Sequence, residues 1–387
     1  MDQKTLEQLK SKYKLSDKEH DAIYEAIERR FFFGLEPASN PSNIIMLGQN
    51  GSGKSTLASF LAEIGKLRAK YKELPDEEKT KTKVYEMIRH ERIKQKLGYL
   101  FEENTLKYSS LDNDTGIRGN TVSIDGDLIR SYHPAYDELR KEYPREHFAI
   151  LAQDTEVWTK KLFLSALEKG YNTIYSITTK DIDKTIEYMS ILKRTARPIT
   201  FKVLAVNELE SMLSIFERYG RQIKVSGYGR LNDYAYHDDA YRNTLYVLDQ
   251  IERYRIGKTE VYNREFECVY DSSKGTENKY RNAREAVEEE RRKSIPKTLK
   301  NFDERLTKIK IDLALIPDPR IEPQIEELER RQERYLEEIY GHRKKKEEPL
   351  SPFEQVVGRK EESSIPKKTT DGKKGNIGED NEGYGEL

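Results

Sequence analysis

Along the first 270 or so residues, short apolar runs alternate with longer stretches whose apolar positions recur every three or four residues. NIIMLG (43–48) has the length and flanks of a buried strand and ends in glycine; TLASFLAEIGK, just after it, has helical spacing. TVSID predicts a second strand, and AQDTEVWTKKLFLSALEKGY a helix with Gly170 as its C-cap. NTIYSIT and ITFKVLAV predict two more strands, separated by the helical DIDKTIEYMSILKRT. NELESMLSIFERYGRQI and DDAYRNTLYVLDQIERY are helices, and GKTEVYNREFECVYDS closes with two short strands. Upstream, residues 3–31 predict amphipathic helix broken at KLSDKEHD, where Ser16 is the N-cap with Glu19 three residues on. Alternation of this kind implies an α/β fold, a parallel sheet flanked on both faces by helices.

Two regions depart from the alternation. Residues 66–120 are a charged interlude, helical and then hairpin-like, and predict an insertion between two core strands. From 278 to 348 nearly every position is helix-forming and charged, which predicts a solvated helical arm. Residues 349–387 are poor in bulky apolar residues and predict a disordered tail. The expected domain is thus 1–277, carrying the 66–120 insertion and followed by the arm and the tail.

Composition adds exclusions. The 387 residues are 36% charged and 35% hydrophobic, polar for one globule, with 69 Lys plus Arg against 69 Asp plus Glu. That balance gives no pointer to a nucleic-acid or membrane partner. One cysteine, Cys268, excludes an internal disulfide and fits a reducing compartment; it is expected to be buried in a strand. The charged N-terminus lacks a signal-peptide core, and no stretch approaches the roughly 18 apolar residues of a membrane span, so a cytoplasmic protein is expected. Six histidines show no metal spacing, and DNDTG (112–116) has its glycine too early for a calcium loop. Trp158 suits either the core or nucleobase stacking.

The chemistry begins at GQNGSGKST (48–56), between an apolar strand and a helix. Gly48, Gly51 and Gly53 let the backbone of Gln49, Asn50 and Ser52 wrap an anion, with Thr56 in the first turn of the following helix. Lys54 is placed to reach the β- and γ-phosphates of ATP or GTP, and the Ser55 hydroxyl to complete a Mg²⁺ shell. There is no asparagine–lysine–x–aspartate guanine reader, and no apolar run ending in Asp-Glu. Phosphoryl transfer to an acceptor remains, which requires a base and cations. Asp125 and Asp127, in SIDGDLIRSYHPAYDEL, emerge at the carboxyl end of the second strand. They are candidates to deprotonate a hydroxyl or, alternatively, to cap the next helix. Arg218 and Arg230 are candidates to stabilise the moving phosphoryl.

GQNGSGKST, DGDLIRSYHPAYDEL, EKGYN, ERY and VYNREFECVYDS, in this order, resemble the zeta toxin family of bacterial toxin–antitoxin systems. The resemblance covers roughly 43–272, and the His-Pro-x-Tyr-Asp-Glu-Leu segment is its specific part. It implies a P-loop kinase that phosphorylates the 3′ hydroxyl of a UDP-N-acetylhexosamine and so starves cell-wall synthesis, and it implies an antitoxin partner. By motif, Lys54 matches the phosphate lysine, Asp127 the base, and Arg218 and Arg230 the clamping arginines, with His237 and Asp238 supporting the second. Arg130, His133, Thr178 and Lys180 fall on the nucleotide-sugar side. Where the family has Glu-Gly-Thr and then an arginine, this chain has Ser176, Thr178 and Lys180, and Lys160 replaces a usual carboxylate. The acceptor therefore stays open: a dinucleotide, a nucleoside or a nucleic-acid end, or, in place of an enzyme, a nucleotide-binding interaction module with a decayed kinase site.

Overall fold

The computed structural model describes residues 2–58, 121–144 and 146–341. The 66–120 insertion, its DNDTG turn and the tail from 349 lie outside the described residues. The chain divides into two units, Met1–Tyr335 and Leu336–Leu387. Among the described residues of the first, six strands form one sheet. They are β1 (Asn43–Leu47), β2 (Thr121–Ile124), β3 (Asn172–Ile177), β4 (Ile199–Leu204), β5 (Lys258–Tyr262) and β6 (Cys268–Asp271), in the order β2-β3-β1-β4-β5-β6. The first five are parallel and β6 returns antiparallel to β5. Every strand expected from the apolar runs is present.

The helices are α1 (Gln3–Tyr13), α2 (Asp17–Phe32), α3 (Gly126–Arg130), α4 (Tyr136–Glu142), α5 (His147–Ile150), α6 (Ala152–Glu168), α7 (Ile182–Arg194), α8 (Glu208–Ser226), α9 (Tyr234–Arg253), α10 (Ala283–Lys300), α11 (Phe302–Leu313) and α12 (Ile321–Tyr340). A further helix starts at 54 and is described to 58. Ser16 and Glu19 form the expected capping box at α2. At the end of α6 the C-cap is Lys169, and Gly170 follows it at φ 80°, a left-handed position that favours glycine.

β1 lies between β3 and β4, so its backbone is paired along both edges. Ile45, Met46 and Leu47 point alternately to opposite faces, and all three are fully buried because helices cover both. The main core joins Ile45, Ile124, Tyr175 and Phe201 of the sheet to Trp158, Leu162 and Phe163 of α6 and to Val247 and Leu248 of α9. Each such side chain contributes roughly 1.5–3 kcal/mol by leaving water. Trp158 is core, not a stacking platform: it is fully buried and its Nε1 donates to the His20 carbonyl of α2 at 3.0 Å.

Two expectations are corrected here. Over its described residues, 278–341, the charged segment is not a solvated arm. Ala283, Ala286 and Val287 of α10 belong to the main core, and Phe302, Leu306, Ile309, Leu313, Ile321, Ile325 and Leu328 are buried along α11 and α12. The apolar stripe on each helix is narrow, so charge on the remaining positions masked it. Cys268 is in a strand, as expected, but exposed, because β6 is the edge strand.

Candidate functional site

In a parallel sheet the carboxyl ends of the strands gather at one edge, and the loops leaving them build the ligand crevice. Residues that follow β1 (Gln49–Thr56), β2 (Asp125 and Asp127), β3 (Thr178 and Lys180) and β5 (Arg264 and Phe266) line one cleft. Arg130, Phe148, Arg218 and Arg230 line it too. No helix among the described residues is long and apolar enough to cross a membrane.

The loop after β1 has the backbone its glycines imply. Gly51 has φ 76°, and a Cβ there would fall 2.0 Å from the Ser211 carbonyl of α8, so no other residue fits without moving a helix. Lys54 Nζ donates to the carbonyls of Gly48 at 2.7 Å and Gln49 at 2.9 Å. Desolvation, with the positive charges of Arg218 and Arg230, pulls its ammonium down to about 7. The lysine thus sits over the loop on neutral carbonyls, facing two arginines, an arrangement that an anion would relieve. Gln49 is different: its side chain is fully buried and donates to the Val206 carbonyl at 3.0 Å, so only its backbone is offered to a ligand.

Asp125 and Asp127 separate into the two roles open to them. Asp125 caps α3, its Oδ1 accepting from the Asp127 N–H at 2.9 Å. Asp127 presents an exposed carboxylate to the cleft. Its Oδ1 accepts from Arg130 Nη1 at 2.7 Å and from Arg230 Nη1 at 3.3 Å. Desolvation by the cleft walls pushes its pKa up, but Arg130, Arg230 and Arg218 outweigh that and hold it well below the usual carboxylate range.

The arginines are fixed by what lies under them. Arg218, on α8, donates to Asn232 Oδ1 at 3.2 Å, while its buried Nε has no hydrogen-bond partner among the described residues. Burial, then Arg230, push it down to about 10. Arg230 sits on the loop between α8 and α9, whose backbone N–H it anchors to Gln222 Oε1 at 3.0 Å. The same loop rests on Tyr219, whose ring leaves no room for a Cβ at Gly229. One ring, Phe148, holds both guanidinium groups nearest the base, with Arg130 4.8 Å and Arg230 5.5 Å from its centroid.

Several expected site residues serve elsewhere. His133 does not reach the cleft; it is buried, with Nε2 3.6 Å from Asp154 and Nδ1 accepting from the Ala135 N–H. His237 is fully buried, its Nε2 2.7 Å from Ser211 Oγ and its Nδ1 3.0 Å from Asp238. Asp238 is in turn paired with Arg331 of α12 at 2.6 Å. These two support α8 rather than touch a substrate. Thr178 and Lys180 do lie on the cleft, where Thr178 Oγ1 is 3.2 Å from Tyr236 OH and Lys180 lies over the same ring at 4.5 Å. Ser176 is exposed in the cleft, and Lys160 pairs with Glu187 at 2.6 Å. One turn before Lys160, Glu156 brings a carboxylate to the cleft, paired with Lys184 at 2.6 Å.

Sequence reasoning missed Arg264 and Phe266, on the turn between β5 and β6. Arg264 Nη1 lies 3.4 Å from the Ser52 carbonyl and would be 2.9 Å from a Cβ at Gly53, so its guanidinium covers the phosphate loop. Phe266 adopts φ 62°, unusual for a bulky residue, and lines the cleft beside it. A usable signal was present: NREF follows the last parallel strand, hence opens at the ligand edge.

A model of the zeta toxin family matches residues 105–275. The likeness is to the zeta toxin family. Toxin PezT of Streptococcus pneumoniae serotype 4 is 26% identical over 161 residues, 41% of this chain and 64% of that protein. Toxin zeta of Enterococcus hirae is 26% identical over 157 residues, 40% of this chain and 55% of that protein. The chain spans less than two thirds of the length of these curated relatives. A solved structure of the PezAT chromosomal toxin–antitoxin system of Streptococcus pneumoniae aligns with 77% of this chain and 98% of that one, at TM-score 0.54 and 22% identity. That agreement is one of fold, and it extends beyond the segment that the zeta toxin family model matches. The loop at 48–56 lies outside that segment, so its assignment rests on its own geometry.

Proposed function

We propose that the protein is a phosphotransferase of zeta toxin type. It would move the terminal phosphoryl of ATP or GTP to the 3′ hydroxyl of a UDP-N-acetylhexosamine, and so stop cell-wall synthesis. The observation that carries this reading is that one pair of arginines acts on both halves of the cleft. Arg230 Nη1 donates to Asp127 Oδ1 at 3.3 Å, and Arg218 and Arg230 line the same cleft as Lys54. Desolvation, then the charge of these two arginines, lowers the Lys54 ammonium, and they join Arg130 in holding Asp127 low. Phosphoryl transfer needs that juxtaposition: a phosphate grip, a base for the acceptor hydroxyl, and cations between them.

The residues suit a Mg²⁺–nucleotide complex. The loop can surround an anion, Lys54 stands over it, and Ser55, which lines the same cleft, would hold the metal. Among the described residues no group of three acidic, histidine or cysteine side chains could hold a metal ion. Mg²⁺, when bound, would supply charge neutralisation at the phosphates. Asp127 orients the acceptor hydroxyl and takes its proton, while Arg218 and Arg230 stabilise the charge in flight.

The acceptor subsite favours keeping a second reading. Ser176 puts a hydroxyl where the resemblance implies a carboxylate, and Lys180 is engaged with Tyr236. Exchanging a carboxylate for a hydroxyl alters recognition more than phosphate chemistry. A different nucleotide acceptor is therefore the alternative. Product mass after incubation with ATP, Mg²⁺ and separate UDP-sugars, nucleosides, dinucleotides and oligonucleotides decides. A phosphorylated UDP-N-acetylhexosamine supports the first reading, and a product from another acceptor replaces the substrate. ATP binding without any product would favour an interaction module. An antitoxin that covers the donor site is also part of the proposal, and would be read as loss of nucleotide binding in the complex.

A further inference from the structure

Three side chains of α10 reach the loops that leave β1 and β4. Arg291 is only 4% exposed. Its Nη1 donates to the Tyr241 carbonyl of α9 at 3.1 Å, its guanidinium stacks 3.6 Å from the Tyr241 ring centroid, and its Nη2 donates to Gln49 Oε1 at 3.3 Å. Gln49 uses its other end on the Val206 carbonyl. Further along α10, Ser294 and Thr298 each accept from Asn207 Nδ2 at 2.9 Å. Asn207 caps α8, its Oδ1 accepting from the Glu210 N–H at 2.9 Å. Gly51, two residues after Gln49, is wedged against the first turns of that same helix.

The phosphate loop is therefore held at two points, Gln49 and Gly51, and α10 fixes the support of both. The hydrogen bonds of Arg291 go to neutral acceptors, a carbonyl and an amide oxygen, although a buried guanidinium is costly to desolvate. An apolar side chain would fill the same space at lower cost. What a guanidinium adds is a rigid two-point bridge between α9 and the loop.

We infer that Arg291 is a positioning residue for the phosphate loop, acting through Gln49 to set the backbone that receives the donor nucleotide. This rests on the reading of residues 48–56 as the donor site. Arg291 lies beyond residues 105–275, so the grip depends on a segment outside the part matched by the family model.

A double-mutant cycle on the full chain tests this, read by binding of a non-hydrolysable ATP analogue with Mg²⁺. Arg291→Met and Gln49→Asn, which shortens the amide by one methylene, should each weaken binding about tenfold. The double variant should bind no more than about threefold more weakly than the weaker single one, because both break one link. Leu306→Ala, in the core under α11, serves as a control for general destabilisation: it should lower the melting temperature yet bind the analogue as wild type does. If Arg291→Met fails to fold, Gln49→Asn against the same control carries the test. Multiplying losses in the double variant, or wild-type binding by the single ones, overturns the inference. Lys54→Ala separates the two claims. If it binds as tightly as wild type, the donor-site reading falls; if it alone loses binding, the inference falls and the reading stands.

Discussion

Arg230 Nη1 donates to Asp127 Oδ1 at 3.3 Å, across 103 residues of sequence. The proposed clamping cation and the proposed base are therefore ion-paired in the free protein. A carboxylate held well below its usual pKa is a poor proton acceptor, so the pair must loosen when Arg230 turns to the phosphoryl. The ion pair keeps Asp127 ionised and aligned in the free protein, and the nucleotide would release it.

Removing Arg230 should then have two effects. Arg230→Ala should lower kcat by about 10³-fold, in the range for arginines that stabilise a transferring phosphoryl. The acidic limb of the kcat/KM profile should also move to higher pH, because Asp127 loses one of the charges that depress it. A rate loss with an unmoved limb would mean that Arg230 does not act on the base.

Nucleotide binding should take up a proton. In the free protein Lys54 titrates at about 7, so above that pH its amine is largely neutral. Phosphates at Nζ favour the ammonium and raise its pKa again. Calorimetry at pH 8 in buffers of different ionisation enthalpy should show net proton uptake, and Lys54→Arg, charged throughout, should abolish it. Equal uptake in that variant would contradict the assignment.

Acid stability carries a signature of His147. It is fully buried, and burial, then Arg130, push it down to about 4. The unfolded chain takes up that proton near 6.5, so stability falls as pH drops from about 6.5 to 4, by at most about 3 kcal/mol. His147→Gln should be flatter than wild type over that window in denaturant titrations, and parallel curves would rule the histidine out.

The C-terminal helices should prove integral to the fold. Arg331 of α12 pairs with Glu208, Asp238 and Glu327 at 2.6–2.7 Å, with its own side chain 11% exposed. Arg331→Met leaves Glu208 with only Arg334 and Tyr335, and Asp238 with only His237, and should cost about 3 kcal/mol of unfolding free energy. A loss below about 1 kcal/mol would place that network among surface ion pairs.

How far the sequence foretold this molecule depended on whether a signal was local. β1 was legible because a strand buried on both faces reads as a continuous apolar run, whereas β3 and β4 were legible as short, mostly buried stretches between helical segments. The loop at 48–56 was legible because glycine spacing encodes backbone shape. Asp125 and Asp127 are chemically alike in sequence, and only the capping bond of Asp125 separates them. His133 is part of the most distinctive motif, yet it packs toward Asp154, since a motif marks a segment and not the direction of each side chain. The packing of α10 to α12 was hidden by charge on their outer faces. Arg264 and Arg291 touch the phosphate loop from more than 200 residues away in sequence, and no periodicity reports such a contact.

The measurement closest to the central claim separates binding from chemistry at Asp127. Asp127→Asn keeps size and polarity but cannot accept the proton. With ATP, Mg²⁺ and the acceptor found by product mass, it should bind nucleotide like wild type and transfer phosphoryl about 10²- to 10⁴-fold more slowly. Transfer at the wild-type rate would remove Asp127 as the base and, with it, the proposed mechanism of the cleft.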